Sequence, residues 1–312
     1  MKAYFEMMRP INCLMSVIAV FIGGLLVVGW DFQHLMGYSP LYPALLVVFL
    51  ITGAGNAIND YFDVEPDKIN RPKRPIPSGR SSRGGALFFS AALFLSGIMI
   101  AGFINWIVFW IAVVNSIVLI LYSSHLQNKL FIGNLTVGYL TGSTFLFGGA
   151  AMNNIVLPIW LALLAGLATV SREIIKDVED IRGDKMSFLQ RMKFISKNVP
   201  IQSSVQPSET APVAERFGVT TNGIEIKMNK KKLLYLAAAA LLVSVALSPM
   251  PYIVGILGFN YLIAVIITDI VFIFASVQMI LAHEKTNYRS IQRIIKIGML
   301  LGLISFVVGV WL

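Results

Sequence analysis

The sequence predicts an all-α integral membrane protein: a bundle of nine transmembrane helices with the N-terminus cytoplasmic and the C-terminus outside. Three observations carry that expectation. Hydrophobic residues are 56% of 312, more than one soluble core can hide. Charged residues are 13%, roughly half of the ~25% usual in globular chains. The apolar residues also fall into runs of the length a bilayer requires, about 20 residues of internally hydrogen-bonded helix. A soluble enzyme is excluded. The single cysteine, Cys13, excludes a disulfide-built module, and the wealth of Leu, Ile, Val and Phe excludes disorder.

The spans are read at 10–29, 41–59, 85–104, 106–123, 131–152, 156–173, 233–248, 252–281 and 289–311. The first follows Lys2 and Arg9, as a signal peptide would. Its apolar run is too long for one and no small-residue cleavage site follows, so it is read as a helix. Short breaks at 30–40, Asn105, Asn153-Asn154 and Ser248 to Pro251 alternate with the polar stretches 60–84 and 185–232. With nine spans, all 25 Lys and Arg fall on the side that holds the N-terminus, while the other side carries Asp31 and His34 and little else. The positive-inside rule makes the basic side cytoplasmic. The net charge of +9 is then an orientation signal and not a nucleic-acid footprint, since no soluble basic domain is present.

The 16 acidic residues are clustered. Asn59, Asp63 and Asp67 recur every four residues after the second span, so on a continuing helix they share a face. Asn56 and Asp60 form a neighbouring row. Pro66 would unsettle such a helix, which places Asp67 just past its end. Asp177, Asp180 and Asp184 share a face at the end of the sixth span. Stacked carboxylates need counter-charge, and oxygen-rich clusters suit Mg2+, which shares its coordination with phosphates. Each cluster alone is equally readable as a solvated acidic loop paired with nearby Arg and Lys. Two matched clusters on one side favour a diphosphate held through bridging cations.

These residues carry a resemblance. Asn59-Asp60-Tyr61-Phe62-Asp63-Val64-Glu65-Pro66-Asp67, followed by Arg71-Pro72-Lys73-Arg74-Pro75, resembles the first signature of the UbiA-type intramembrane prenyltransferases. Lys176-Asp177-Val178-Glu179-Asp180-Ile181-Arg182-Gly183-Asp184 resembles the second. The likeness runs nearly the whole chain as one domain, 1–312. Within the family, Glu6 to Met15, Asp67 to Arg80, Tyr139 to Gly148 and Arg172 to Asp180 are most similar to the archaeal ether-lipid branch. The resemblance implies Mg2+-dependent transfer of a geranylgeranyl group from geranylgeranyl diphosphate to a phosphorylated glycerol ether, geranylgeranylglyceryl phosphate. It assigns Asn59, Asp63, Asp67, Asp177, Asp180 and Asp184 to the Mg2+-diphosphate site, catalytic and metal-binding together. Lys73, Arg74, Lys129 and Lys176 are its candidate phosphate contacts, each equally readable as an interfacial anchor. Arg9 is a candidate for the acceptor phosphate or a snorkelling interface residue.

Two departures limit the transfer. The family commonly has a lysine five residues beyond the tyrosine corresponding to Tyr122; Gln127 stands there, with Lys129 two further on. The stretch 186–208 is an insertion, read as a mobile cytoplasmic loop or a lid, in which Phe188, Leu189, Met192 and Phe194 could line a membrane-surface helix. Asp269, mid-span, is expected to be buried and hydrogen-bonded. An aromatic acceptor is the alternative within the same chemistry. A transporter is disfavoured because the acids gather at one face and no equivalent halves carry interrupted helices. Oligomeric state is left open.

Overall fold

The computed structural model describes residues 2–29, 31–37, 40–127, 129–198, 230–283 and 286–311, with 180–198 as backbone alone. The regular structure of the described residues is all helical, without a strand. In order they form α1 (Lys2–Met8), α2 (Pro10–Val28), α3 (Phe32–Gly37), α4 (Leu41–Phe62), α5 (Val64–Asn70), α6 (Arg83–Gly102) and α7 (Trp106–Leu121). A π-helical turn, Tyr122–Leu126, leads to α8 (Leu130–Ala151) and α9 (Val156–Asn198). Then come α10 (Lys230–Leu247), α11 (Met250–Ile253), α12 (Phe259–Ile280) and α13 (Tyr288–Trp311).

Eight helices among the described residues are long and apolar enough to cross a membrane, and the protein is a multi-pass membrane protein. Their outward faces are apolar, with Ile11 79%, Phe88 78% and Trp106 70% exposed, the inverse of a soluble surface. α8 matches the expected span 131–152 and is 22 residues long, but Asn134, Thr136, Thr141, Ser143 and Thr144 dilute its hydropathy. Those polar groups are satisfied locally or by neighbours. Thr136 donates to the carbonyl of Ile132 at 2.8 Å, Thr141 to that of Val137 at 2.9 Å, and Asn115 to Ser143 at 2.9 Å.

α8 packs against α2 on one side and α9 on the other, and glycine makes both contacts possible. A Cβ on Gly148 would lie 2.0 Å from the carbonyl oxygen of Val20, and one on Gly142 2.4 Å from that of Ala162. Small residues let membrane helices meet backbone to backbone, where packing and not hydrophobic exclusion drives association. Two interiors flank this layer. α2, α4, α6, α7 and α8 share one, with Val47, Ile51 and Phe147 in it. α9, α10, α12 and α13 share the other, with Ile174, Leu241 and Ile295.

Three boundaries differ from the sequence reading. α12 begins at Phe259, because Gly255 at φ 75 and hydrogen bonds from Ile256 and Leu257 to the carbonyl of Pro251 close a turn inside the apolar run 252–281. Asp67 lies past the end of α4, but within a further short helix, α5. Pro66 occupies the first turn of α5, where its missing N–H removes no helical bond. α9 continues as helix to Asn198, so the insertion begins as helical backbone; 199–208 lies outside the described residues.

Asp269, on α12, is half-buried. Ser248 donates to it at 2.7 Å and Tyr261 donates to the carbonyl of Ser248 at 2.6 Å. Its Oδ1 has no partner among the described residues. It edges an apolar cavity of about 220 Å3 lined by Thr141, Phe145, Leu164, Phe272 and Phe306 among others.

Candidate active site

The site forms where α4 runs out. α4 ends at Phe62, and Asp63 sits between it and α5 at φ −85 and ψ 12. The helical path nevertheless carries across: Asp63 N–H donates to the carbonyl of Asn59, and Asp67 N–H to that of Asp63, each at 2.9 Å. These two bonds keep the four-residue spacing meaningful across the junction. Asn59 Nδ2 donates to Asp63 Oδ2 at 2.6 Å.

The other oxygen of Asp63 receives Gln127, whose Nε2 donates to Oδ1. The π turn explains how. Gln127 N–H bonds the carbonyl of Tyr122, five residues back, at 2.9 Å. That extra residue per turn rotates the chain beyond Leu126 and re-aims its side chains, as such turns do at functional sites. Asp63 thus meets two neutral amide donors and no cation among the described residues.

The second acidic segment lies across the same turn. Asp177, on α9, accepts from Asn134 Nδ2 of α8 at 2.7 Å. Asp63, Asp177 and Glu173 all act electrostatically on Tyr122, so both acidic segments approach one tyrosine at the end of α7. Glu173 pairs with Arg172 and, at 3.2 Å, with Lys176. Glu179 accepts from Arg289 at 2.6 Å and Gln292 at 2.9 Å, tying α9 to α13. Asp180 and Asp184 lie on the helical backbone of α9, with side chains outside the described residues.

The basic candidates separate. Arg74 pairs with Asp67 and, at 3.2 Å, with Asp60. Arg9 reaches Asp60 at 2.5 Å. Lys73 and Lys129 are exposed and form no ion pair among the described residues, while Lys176 turns to Glu173. Arg80 braces the loop, donating to both oxygens of Glu6 at 2.6 and 3.0 Å and to the carbonyl of Lys73. That hydrogen bond holds the Glu6 carboxyl below the usual glutamate range.

Three residues here went unassigned from sequence: Gln127, Asn134 and Asp60. Gln127 stood at a marked departure from the family pattern. Asn134 is an amide in an otherwise apolar stretch, and Asp60 stands in the row beside the one chosen.

This is a membrane bundle with two carboxylate-bearing segments gathered at one end of its helices. Residues 16–190 match the UbiA prenyltransferase family, and the chain belongs to that family and is a prenyltransferase. It is 42% identical over 308 residues to digeranylgeranylglyceryl phosphate synthase of Methanococcus aeolicus, covering 99% of this chain and 97% of that one. It is 39% identical over 319 residues to the enzyme of the same name from Methanosarcina mazei, covering 99% and 98%. A solved structure of digeranylgeranylglyceryl phosphate synthase superposes with a TM-score of 0.79 at 35% identity, covering 99% and 98%. A UbiA homologue from Archaeoglobus fulgidus, solved with GPP and Mg2+, shares the fold at a TM-score of 0.59 and 16% identity, covering 97% and 98%.

Proposed function

We propose that the protein transfers a geranylgeranyl group from geranylgeranyl diphosphate to geranylgeranylglyceryl phosphate, forming digeranylgeranylglyceryl phosphate for archaeal ether lipids. The observation that carries this reading is near-full-length identity of 42% to a relative bearing that activity in its name. No comparable observation favours an aromatic acceptor.

The hard carboxylate and amide oxygens suit a divalent cation such as Mg2+, although among the described residues no three carboxylates are gathered closely enough to hold one by themselves. Asp63 is aimed by amides from Asn59 and Gln127 and is not neutralised by a guanidinium. Asp63, Asp67 and Asp177, with the Asn59 amide oxygen, would hold the metal, and Asp180 and Asp184 extend the set along α9. When bound, the metal supplies positive charge to the diphosphate leaving group. The protein's own part is to place charge where the allylic C–O bond opens. Diphosphate leaves with the electron pair of the allylic C–O bond, the acceptor's glycerol hydroxyl oxygen closes the ether bond to that carbon, and the hydroxyl proton passes to the released diphosphate. Arg74, Lys73, Lys129 and Lys176 serve the diphosphate, and Arg9 the acceptor phosphate. The cavity edged by Thr141 and Phe272 is suited to an isoprenoid chain.

The reading includes nine spans, α8 being the ninth, with the site at a cytoplasmic face. It treats 1–312 as one domain carrying 186–208 as an insertion. The test is product identification by mass spectrometry from purified protein, Mg2+, geranylgeranyl diphosphate and a panel of acceptors. Prenylation of 4-hydroxybenzoate with geranylgeranylglyceryl phosphate ignored overturns it.

A further inference from the structure

We infer that Asp60 is a positioning residue that binds Arg9 and Arg74 into one cationic pair at the mouth of the site and presents them to the anionic groups of the two substrates. The inference rests on the prenyl-transfer reading and assigns a part to a carboxylate outside the metal set.

Asp60 is 4% exposed, and a single oxygen, Oδ1, takes Arg9 Nη2 at 2.5 Å and Arg74 Nη1 at 3.2 Å. The arginines come from segments 51 and 14 residues away. Two guanidiniums this close repel, and a desolvated carboxylate between them offsets the repulsion. The position strengthens the effect, because Asp60 lies in the last turn of α4, where the helix dipole adds negative potential.

Arg9 is placed by the same face of α4. Asn56, one turn before Asp60, donates to the carbonyl of Met8 at 2.8 Å. Met8 itself lies over Gly53, where a Cβ would come within 2.6 Å of its methyl. Between Met8 and Pro10, Arg9 adopts a left-handed backbone, φ 52 and ψ 71, a conformation that costs about 1–2 kcal/mol in a non-glycine residue. The junction of α1 and α2 is therefore fixed to α4 at three successive contacts, and the last is Arg9 to Asp60.

Arg74 is held twice, by Asp60 and by Asp67. Asp67 belongs to the proposed metal set; Asp60 does not. A cation drawing on Asp67 leaves Asp60 as the anchor that keeps Arg74 at the mouth. Both arginines engage Asp60 through one terminal nitrogen, and the planar fork has five N–H donors, so each retains donors for a phosphate. Their side chains are 30% and 15% exposed, partly buried but reachable.

The experiment compares Asp60→Asn and Asp60→Glu with wild type, and again in an Arg9→Gln/Arg74→Gln background. KM for donor and acceptor, kcat and half-saturating Mg2+ are measured, together with binding of inorganic diphosphate by thermal shift in detergent. Asp60→Asn is expected to raise both KM values about tenfold, a charge-assisted contact's worth. Most of the loss should fall on KM, half-saturating Mg2+ should stay unchanged, and Asp60→Glu should recover part. In the double-glutamine background Asp60→Asn should add no further loss. Additive losses, unchanged KM values or a shift in half-saturating Mg2+ overturn the assignment. Should Asp60→Asn alone fail to fold, with two guanidiniums left unpaired, diphosphate binding by the triple variant is compared with that of Arg9→Gln/Arg74→Gln. Equal binding supports the role and weaker binding overturns it. Failure of the prenyl-transfer reading shows separately, as wild type yielding no ether product.

Discussion

Gln127 donates a hydrogen bond to Asp63 across 64 positions of sequence, delivering a neutral amide to a carboxylate that would face a metal. A lysine there would neutralise Asp63, whereas glutamine orients it and leaves its charge for a cation. Removing the amide should therefore act on metal use. Gln127→Ala is expected to raise half-saturating Mg2+ about tenfold, within the range seen when partners of metal ligands are lost. A Mg2+ titration of initial rate checks this, and an unchanged midpoint would show that the contact has no bearing on the metal.

Asp63→Asn and Asp177→Asn should each lower kcat by more than about a hundredfold, because a full charge is removed where leaving-group charge must be offset. Both variants should keep the thermal unfolding midpoint of wild type in detergent. Excess chelator should abolish turnover by wild type, with activity returning on addition of Mg2+. Persistent activity in chelator contradicts the metal assignment.

The glycine contacts predict a graded stability series. Gly148→Ala must displace the backbone of Val20 and should destabilise by about 1–3 kcal/mol, the usual cost of overpacking. Gly84→Ala meets nothing within 4 Å in the first turn of α6, and should be neutral or stabilising by up to about 1 kcal/mol. Thermal unfolding in one detergent gives the ranking, which fails if Gly148→Ala is the milder change.

Ser248→Ala would leave Asp269 without its hydroxyl partner inside the bundle. The expected cost is about 1–3 kcal/mol of stability, with half-saturating Mg2+ unmoved because the pair is no part of the carboxylate set. A shifted Mg2+ midpoint would instead tie Asp269 to the metal.

Orientation is readable because Cys13 is the only cysteine. In a Cys13→Ala background, Ser78→Cys should react with a membrane-impermeant maleimide only in inverted vesicles, and Asn154→Cys only in right-side-out ones. The opposite pattern reverses the proposed topology.

The acidic spacing was legible in sequence because Asn59, Asp63 and Asp67 depend only on a local hydrogen-bond ladder, which survives the break at Asp63. Most spans were legible for the same reason, length and apolarity being local properties. Gln127 was not, since the π turn at Tyr122–Leu126 shifts the direction of the chain after it without altering the hydropathy pattern. The start of α12 was hidden because Gly255 interrupts the helix inside an uninterrupted apolar run. The pairing of Arg9 with Asp60 joins segments 51 residues apart, and only tertiary packing brings those together.

The crossings at Gly142 and Gly148 have a mechanical consequence. Where carbonyl oxygens rest in the notches of α8, neither α2 nor α9 can slide by a turn without driving a peptide group into a side chain. That layer is a keyed spine. On the other side of the bundle, Gly298 meets the ring of Phe272, and a ring can turn aside where a backbone cannot. The contact of α12 with α13 at Gly298 is thus the more yielding one, and α8 is the firmer rail of the bundle.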